Sequence, residues 1–140
     1  MDWSLIEQKL ESLRRATSRV VEHCPEDVAT LARDYDAQDI VSVNLTRAVQ
    51  LSVDIANHVL SESDLPSPVT MGQSFDLLQE QGIIDAALCE RMKKAVGFRD
   101  LAVHNYDTID CPGSTSAAIA FFVTLERSSL FSQQAIKLTS

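Results

Sequence analysis

The first apolar residues of the chain fall into a strict rhythm. Trp3, Ile6, Leu10, Leu13, Thr17 and Val20 are separated by steps of 3, 4, 3, 4 and 3. That spacing draws one stripe along a helix and predicts a helix from about Asp2 to Glu22, with Asp2 as its N-cap. Pro25 ends it and opens a short helix through Arg33, because proline fits a first helical turn. A second stripe, Ile40, Val41, Leu45, Ala48, Ile55 and Val59, predicts a long helix from near Asp36 to about Ser61. "SESDLPSPVT" (61–70), with two prolines and three serines, reads as a loop. A shorter helix over about Met71–Gln81 presents Phe75 and Leu78, and Gly82 stands where a helix C′ glycine belongs. Asp85 caps a further helix running to Tyr106, with Leu88, Met92, Val96 and Val103 on its apolar side. Pro112 and Gly113 break the chain, and a last helix from about Ser116 to Leu138 carries Ile119, Phe122, Leu125, Phe131 and Ile136.

No segment sustains a period of two, so no sheet is expected. Four long helices and one or two short ones, joined by short connections, predict an all-α antiparallel bundle. The 140 residues suit a single domain spanning 1–140. Four glycines, four prolines and 6% aromatics agree with helices over a sheet-rich fold.

Charge narrows the function. A net charge of −8 argues against a protein that grips long nucleic acid by its phosphates, and no DNA partner is expected. It leaves room for a local basic site: Arg91, Lys93, Lys94 and Arg99 crowd into nine positions. The cysteines, Cys24, Cys89 and Cys111, form no CxxC and read as reduced, small apolar residues of an intracellular chain. Asp2 and Glu7 stand where a signal peptide would be basic, and no apolar run approaches the ~20 residues of a membrane span. A cytoplasmic protein without a membrane association is the expectation. No glycine-rich phosphate loop is present, so the chain is not expected to bind ATP by itself.

Beside the basic cluster lies "GFRDLAVHNYDTID" (97–110). Arg99 brings a permanent charge and a planar fork of donors suited to phosphate. His104 can take and give a proton near neutrality. Tyr106 can donate a hydrogen bond or stack on a base. Together they can cleave RNA without a metal ion or other cofactor. The histidine handles the 2′-hydroxyl or leaving-group proton, and the arginine stabilises charge on the phosphorane-like transition state. One straight helix cannot aim all three at one atom. Arg99 and Tyr106 lie ~20° apart around the axis but about 10 Å apart along it, and His104 is rotated ~140° from Arg99. Either the chain bends near His104 or a second copy completes the site.

Arg99, four residues, His104, Asn105 and Tyr106 spell R-x4-H-x-Y. With "DIVSVNLTRAVQLSVDIANHVL" (39–60), "FDLLQEQGIID" (75–85) and "RMKKAVGFRDLAVHNYDTID" (91–110) in that order, the chain resembles the HepT-like toxins of the HEPN-domain ribonucleases, well over residues 35–110 and by pattern at the ends. The resemblance implies an all-α HEPN homodimer with its motifs meeting at the interface. It implies a metal-independent endoribonuclease toxin, paired with an MntA-type nucleotidyltransferase antitoxin that transfers AMP to the motif tyrosine, here Tyr106. Arg99 and His104 are then the catalytic residues, with Asp100 and Asn105 beside them. Asp100 departs from the neutral polar residue often found after the motif arginine, and "CPGSTS" (111–116) replaces a smoother approach to the last helix. The alternative is a catalytically inactive HEPN subunit that presents substrate or nucleotide to a partner nucleotidyltransferase; a lower-ranked reading is a purely structural helical dimer.

Asp54 and His58, four apart on one helix, have the spacing of two metal ligands, but no third is evident. A polar i,i+4 pair supporting the site is the better reading, and no metal is expected. Asn44 and Arg47 read as a buried polar contact or a surface pair, and His23 as a group near a helix C-terminus.

Overall fold

A computed structural model of the chain describes residues 2–24 and 28–101 together with Ala120, Phe121 and Thr124. Five helices are described: α1 (Trp3–His23), α2 (Val28–Arg33), α3 (Tyr35–Leu60), α4 (Met71–Glu80) and α5 (Ala86–Leu101). Among the described residues there is no strand. This is the expected all-α bundle. The last part of the helix expected to reach Tyr106, and most of the expected helix over 116–138, lie outside the described residues.

Local chemistry explains where the helices start and stop. Asp2 accepts a hydrogen bond from the Leu5 N–H at 3.1 Å, satisfying a donor that the first turn of α1 leaves open. Asp34 does the same for Ala37 at 3.1 Å, so α3 starts at Tyr35, one residue before the expected Asp36. The Thr70 hydroxyl accepts from Gln73 at 3.2 Å at the start of α4. After α4 the chain turns at Gly82, whose φ of 73° is costly for a side chain-bearing residue. Gly82 N–H donates to the Gln79 carbonyl at 2.9 Å and Ile83 N–H to that of Leu78 at 3.0 Å, the paired bonds of a Schellman motif. Asp85 then caps α5 as expected, accepting from Leu88 at 2.7 Å.

The stripe of α1 is buried against α3: Ile6, Leu10, Leu13, Ala16 and Val20 are all covered. Thr17 sits in that stripe because its hydroxyl donates back to the carbonyls of Leu13 and Arg14, at 3.1 and 2.9 Å, and so needs no outside partner. Trp3 is half-buried at the edge of the core. α3 buries more than the expected stripe, adding Val49, Val53, Ala56 and Leu60. Phe75 of α4 is fully buried and meets Phe121 edge to face, with ring centroids 5.4 Å apart at 83°. The core positions expected in this last segment, Ile119, Phe122, Leu125, Phe131 and Ile136, lie outside the described residues. A second cluster of Val20, Leu31, Ala37, Val41 and Leu45 closes the other end, where the Gln38 side chain donates to the Leu31 carbonyl at 2.9 Å and ties α2 to α3.

Cys89 is a free, buried thiol as expected. Cys24 corrects the expectation of a fully reduced chain, since it is disulfide-bonded. No helix among the described residues is long and apolar enough to cross a membrane.

Phe75 and Phe121 are the largest fully buried side chains among the described residues. Phe75→Ala is expected to lower the unfolding free energy by about 3–5 kcal/mol in urea titrations. Val69→Ala, at a side chain that is 87% exposed, should change it by less than ~0.5 kcal/mol.

Candidate functional site

The helix that carries the start of the motif is held from two sides. Leu88, Cys89, Met92 and Ala95 of α5 are buried, while α4 and α3 pack along it. A polar clamp accompanies this packing. Lys93 Nζ donates to Asp76 Oδ1 of α4 at 3.1 Å, with Glu90 a further 3.9 Å contact on α5 itself. The Cys89 thiol donates to the same Asp76 oxygen at 3.5 Å. The hydrogen bond and negative charge of Asp76 raise Lys93 above the ordinary lysine value. Burial, with the Asp76 hydrogen bond second, pushes the Cys89 thiol up to about 11. Cys89 is therefore a neutral packing group at physiological pH rather than a nucleophile.

Arg99 and Asp100 lie in the helical backbone near the described end of α5. Their side chains, and all of His104, Asn105 and Tyr106, lie outside the described residues, as does the expected bend near His104. What the structure does establish is the footing beneath them. The expected basic cluster is also altered: Lys93 is engaged by two acids rather than facing a ligand alone.

Asp54 and His58 are brought together on α3, but not as the expected pair. Asp54 is held by Lys9 of α1, Nζ to Oδ2 at 3.5 Å, and by Gln50, Nε2 to Oδ1 at 3.1 Å. Both carboxylate oxygens are thus occupied, and no hydrogen bond joins Asp54 to His58 among the described residues. The correction has a tertiary cause, since Lys9 arrives from 45 positions away in sequence. His58 faces an open surface depression shared with Lys9, Asp54, Asn57 and Ser61. Among the described residues no three of His, Cys, Asp and Glu gather as metal ligands would. Next to it, Ser74 donates to Asn57 Oδ1 at 2.7 Å and joins α4 to α3.

Asn44 and Arg47 also separate. Asn44 is buried, its amide donating to the Ile40 carbonyl at 2.9 Å. Arg47 is exposed and has no acidic partner among the described residues.

Residues 3–112, which include the whole of R-x4-H-x-Y, match the family described as Ribonuclease HepT-like. The chain is 32% identical over 106 residues to the mRNA nuclease HepT of Shewanella oneidensis, covering 76% of this chain and 79% of that protein. It is 26% identical over 117 residues to the tRNA nuclease HepT of Aphanizomenon flos-aquae, covering 84% and 79%. Among solved structures it is similar to the tri-AMPylated Shewanella oneidensis HEPN toxin in complex with the MNT antitoxin, with a TM-score of 0.75, 26% identity, and coverage of 88% of this chain and 97% of that one.

The state of Cys89 is directly testable. At pH 8, iodoacetamide should leave Cys89 unmodified in the native protein and label it in urea, as read by peptide mass spectrometry. The sign for stability follows from the raised value: the folded state holds the thiol proton more tightly than the unfolded one, whose thiol titrates near ~8.5. This contribution is complete below that value and is lost as pH rises toward about 11. The urea midpoint should fall over that alkaline window, and Cys89→Ala should flatten the fall.

Proposed function

Since the chain belongs to the HepT-like ribonuclease family, we propose that it is the toxin of a two-component pair and cuts RNA without a metal ion at a site built from Arg99, His104 and Tyr106. The observation that carries this reading is the complete R-x4-H-x-Y within the matched residues, beginning on a helix whose inner face is anchored in the core. His104 removes the proton of the 2′-hydroxyl as that oxygen attacks the adjacent phosphorus, or returns a proton to the departing 5′-oxygen. Arg99 offsets the charge that gathers on the phosphorane oxygens. The requirement for a 2′-hydroxyl makes the reaction one of RNA.

Helical period supports a homodimeric site. Arg99 and His104 point ~140° apart on a straight helix, so a second copy or a bend has to bring them together. The partner is a nucleotidyltransferase antitoxin of the MntA type, which transfers AMP to Tyr106. An added phosphodiester beside Arg99 places negative charge where the substrate phosphate binds and fills the RNA site. Asp100 and Asn105 position the motif. Asp54 and His58 are better read as part of the α1–α3 framework, because Asp54 is already taken by Lys9 and Gln50.

His104→Ala should lower the rate of RNA cleavage by roughly 10²–10⁴-fold and relieve the growth arrest that follows induction. Equal arrest by both forms would falsify the catalytic assignment. Cleavage should persist in excess EDTA; its loss would contradict a metal-free reaction. With the antitoxin and ATP present, wild type should gain AMP at Tyr106 by mass spectrometry, and Tyr106→Phe should not.

A further inference from the structure

The motif does not account for a concentration of arginine elsewhere among the described residues. Arg14, Arg15 and Arg19 of α1 and Arg47 of α3 line one groove of about 550 Å³ between these helices. Four of the chain's twelve lysines and arginines therefore meet at one place in a protein of net charge −8. Among the described residues a single acid, Glu22, lines the groove with them. The arginines are open to ligand: the Arg14, Arg15 and Arg19 side chains are 54%, 69% and 51% exposed.

Their neutralisation is incomplete. Glu11 pairs with Arg14 through two hydrogen bonds and reaches Arg15 only at 3.8 Å, while Arg19 meets Glu22 at 3.6 Å. Arg47 has no acid among the described residues. Among the described residues, two carboxylates thus serve four guanidiniums. Arg15 and Arg19, four apart on α1, are about 6 Å apart along the axis. Arg47 stands across from them on α3, so cations border both sides. Ser18 adds a hydroxyl and buried Asn44 an amide.

We propose that this groove is an RNA-backbone site outside the catalytic motif, holding the phosphates of substrate RNA that flank the point of cleavage. Guanidinium forks match phosphate oxygens, and a two-sided row of them recognises a chain of anions rather than one ion. The lining argues for RNA over an acidic protein segment. Val43 is the only large apolar side chain lining it among the described residues, whereas protein partners are held by a buried apolar centre. The inference rests on the ribonuclease reading for the identity of the polyanion. A local excess of positive charge on an acidic chain also lets the protein hold RNA at this face while its overall field repels nucleic acid elsewhere.

The test uses full-length protein carrying His104→Ala, so that RNA stays intact, and a short unstructured fluorescein-labelled RNA read by anisotropy over a salt series. Replacing Arg15, Arg19 and Arg47 by alanine should weaken binding at least about tenfold. It should also lower the slope of log affinity against log salt by about 2, at ~0.7 per phosphate contact on a single strand. Arg47→Ala alone should give a partial loss, and the triple lysine variant should keep most of the salt dependence. With the motif intact, the triple alanine variant should still cut a dinucleotide at the wild-type rate while cutting long RNA more slowly at low concentration. Parental affinity and slope in the triple alanine variant would overturn the proposal. So would loss of antitoxin binding with RNA binding unchanged, which assigns the groove to a protein. Failure of the ribonuclease reading looks different: no RNA is cut by the unaltered chain, whatever the anisotropy shows.

Discussion

A helix that is apolar on more than one side has to be covered on more than one side, and α3 is that helix. Thirteen of its 26 residues are buried, and each of the other four described helices packs against it. Its buried polar positions are compatible with this only because they are satisfied locally. Ser52 donates to the Ala48 carbonyl at 2.8 Å, Asn44 to that of Ile40, and Gln38 to that of Leu31. Unpaired, each would cost about 1–3 kcal/mol. With α3 covered by α1 on one side, α4 and α5 are left to close the other, and the start of the motif is carried on the last of these.

The charged groups follow the same division. On the α4–α5 side Asp76 gathers Lys93 and the Cys89 thiol, so a basic position close to the motif is spent on holding two helices together. On the α1–α3 side the arginines outnumber their acids and stay exposed. An acidic chain can therefore belong to a ribonuclease family without contradiction. A net charge of −8 leaves room for a local excess of arginine at one groove.

Much of this was legible in the sequence because it depends on local chemistry. The 3-4 spacing of α1, the Asp2 and Asp85 caps and the Gly82 turn are each set within a few residues, and each is present where the spacing predicts it. The start of α3 near Asp36 was legible too, and the fold adds that Asp34 is its cap, reaching Ala37. Phe121 is a core residue that the spacing had not singled out, because adjacent aromatics leave helical phase ambiguous when the neighbouring helix is unknown. Asp54 and His58 share one face of α3 as their spacing predicts, but no local spacing reveals that Lys9 reaches Asp54 from another helix. The arginine groove was hidden in the same way: "RRATSR" and Arg47 look like ordinary helix surfaces until α1 and α3 are laid side by side. The motif itself was legible as a pattern of residue types, and its flanking blocks placed the chain in its family.

The central claim is that this bundle presents a histidine and an arginine to a phosphodiester whose own 2′-hydroxyl is the nucleophile. The most direct measurement compares an RNA that the purified protein cuts with the same strand carrying a single 2′-deoxy nucleotide on the 5′ side of the cleaved bond. The account predicts that the substituted strand remains intact at that bond, and that the unsubstituted strand yields a 2′,3′-cyclic phosphate and a 5′-hydroxyl end. Equal cleavage of both strands would contradict it.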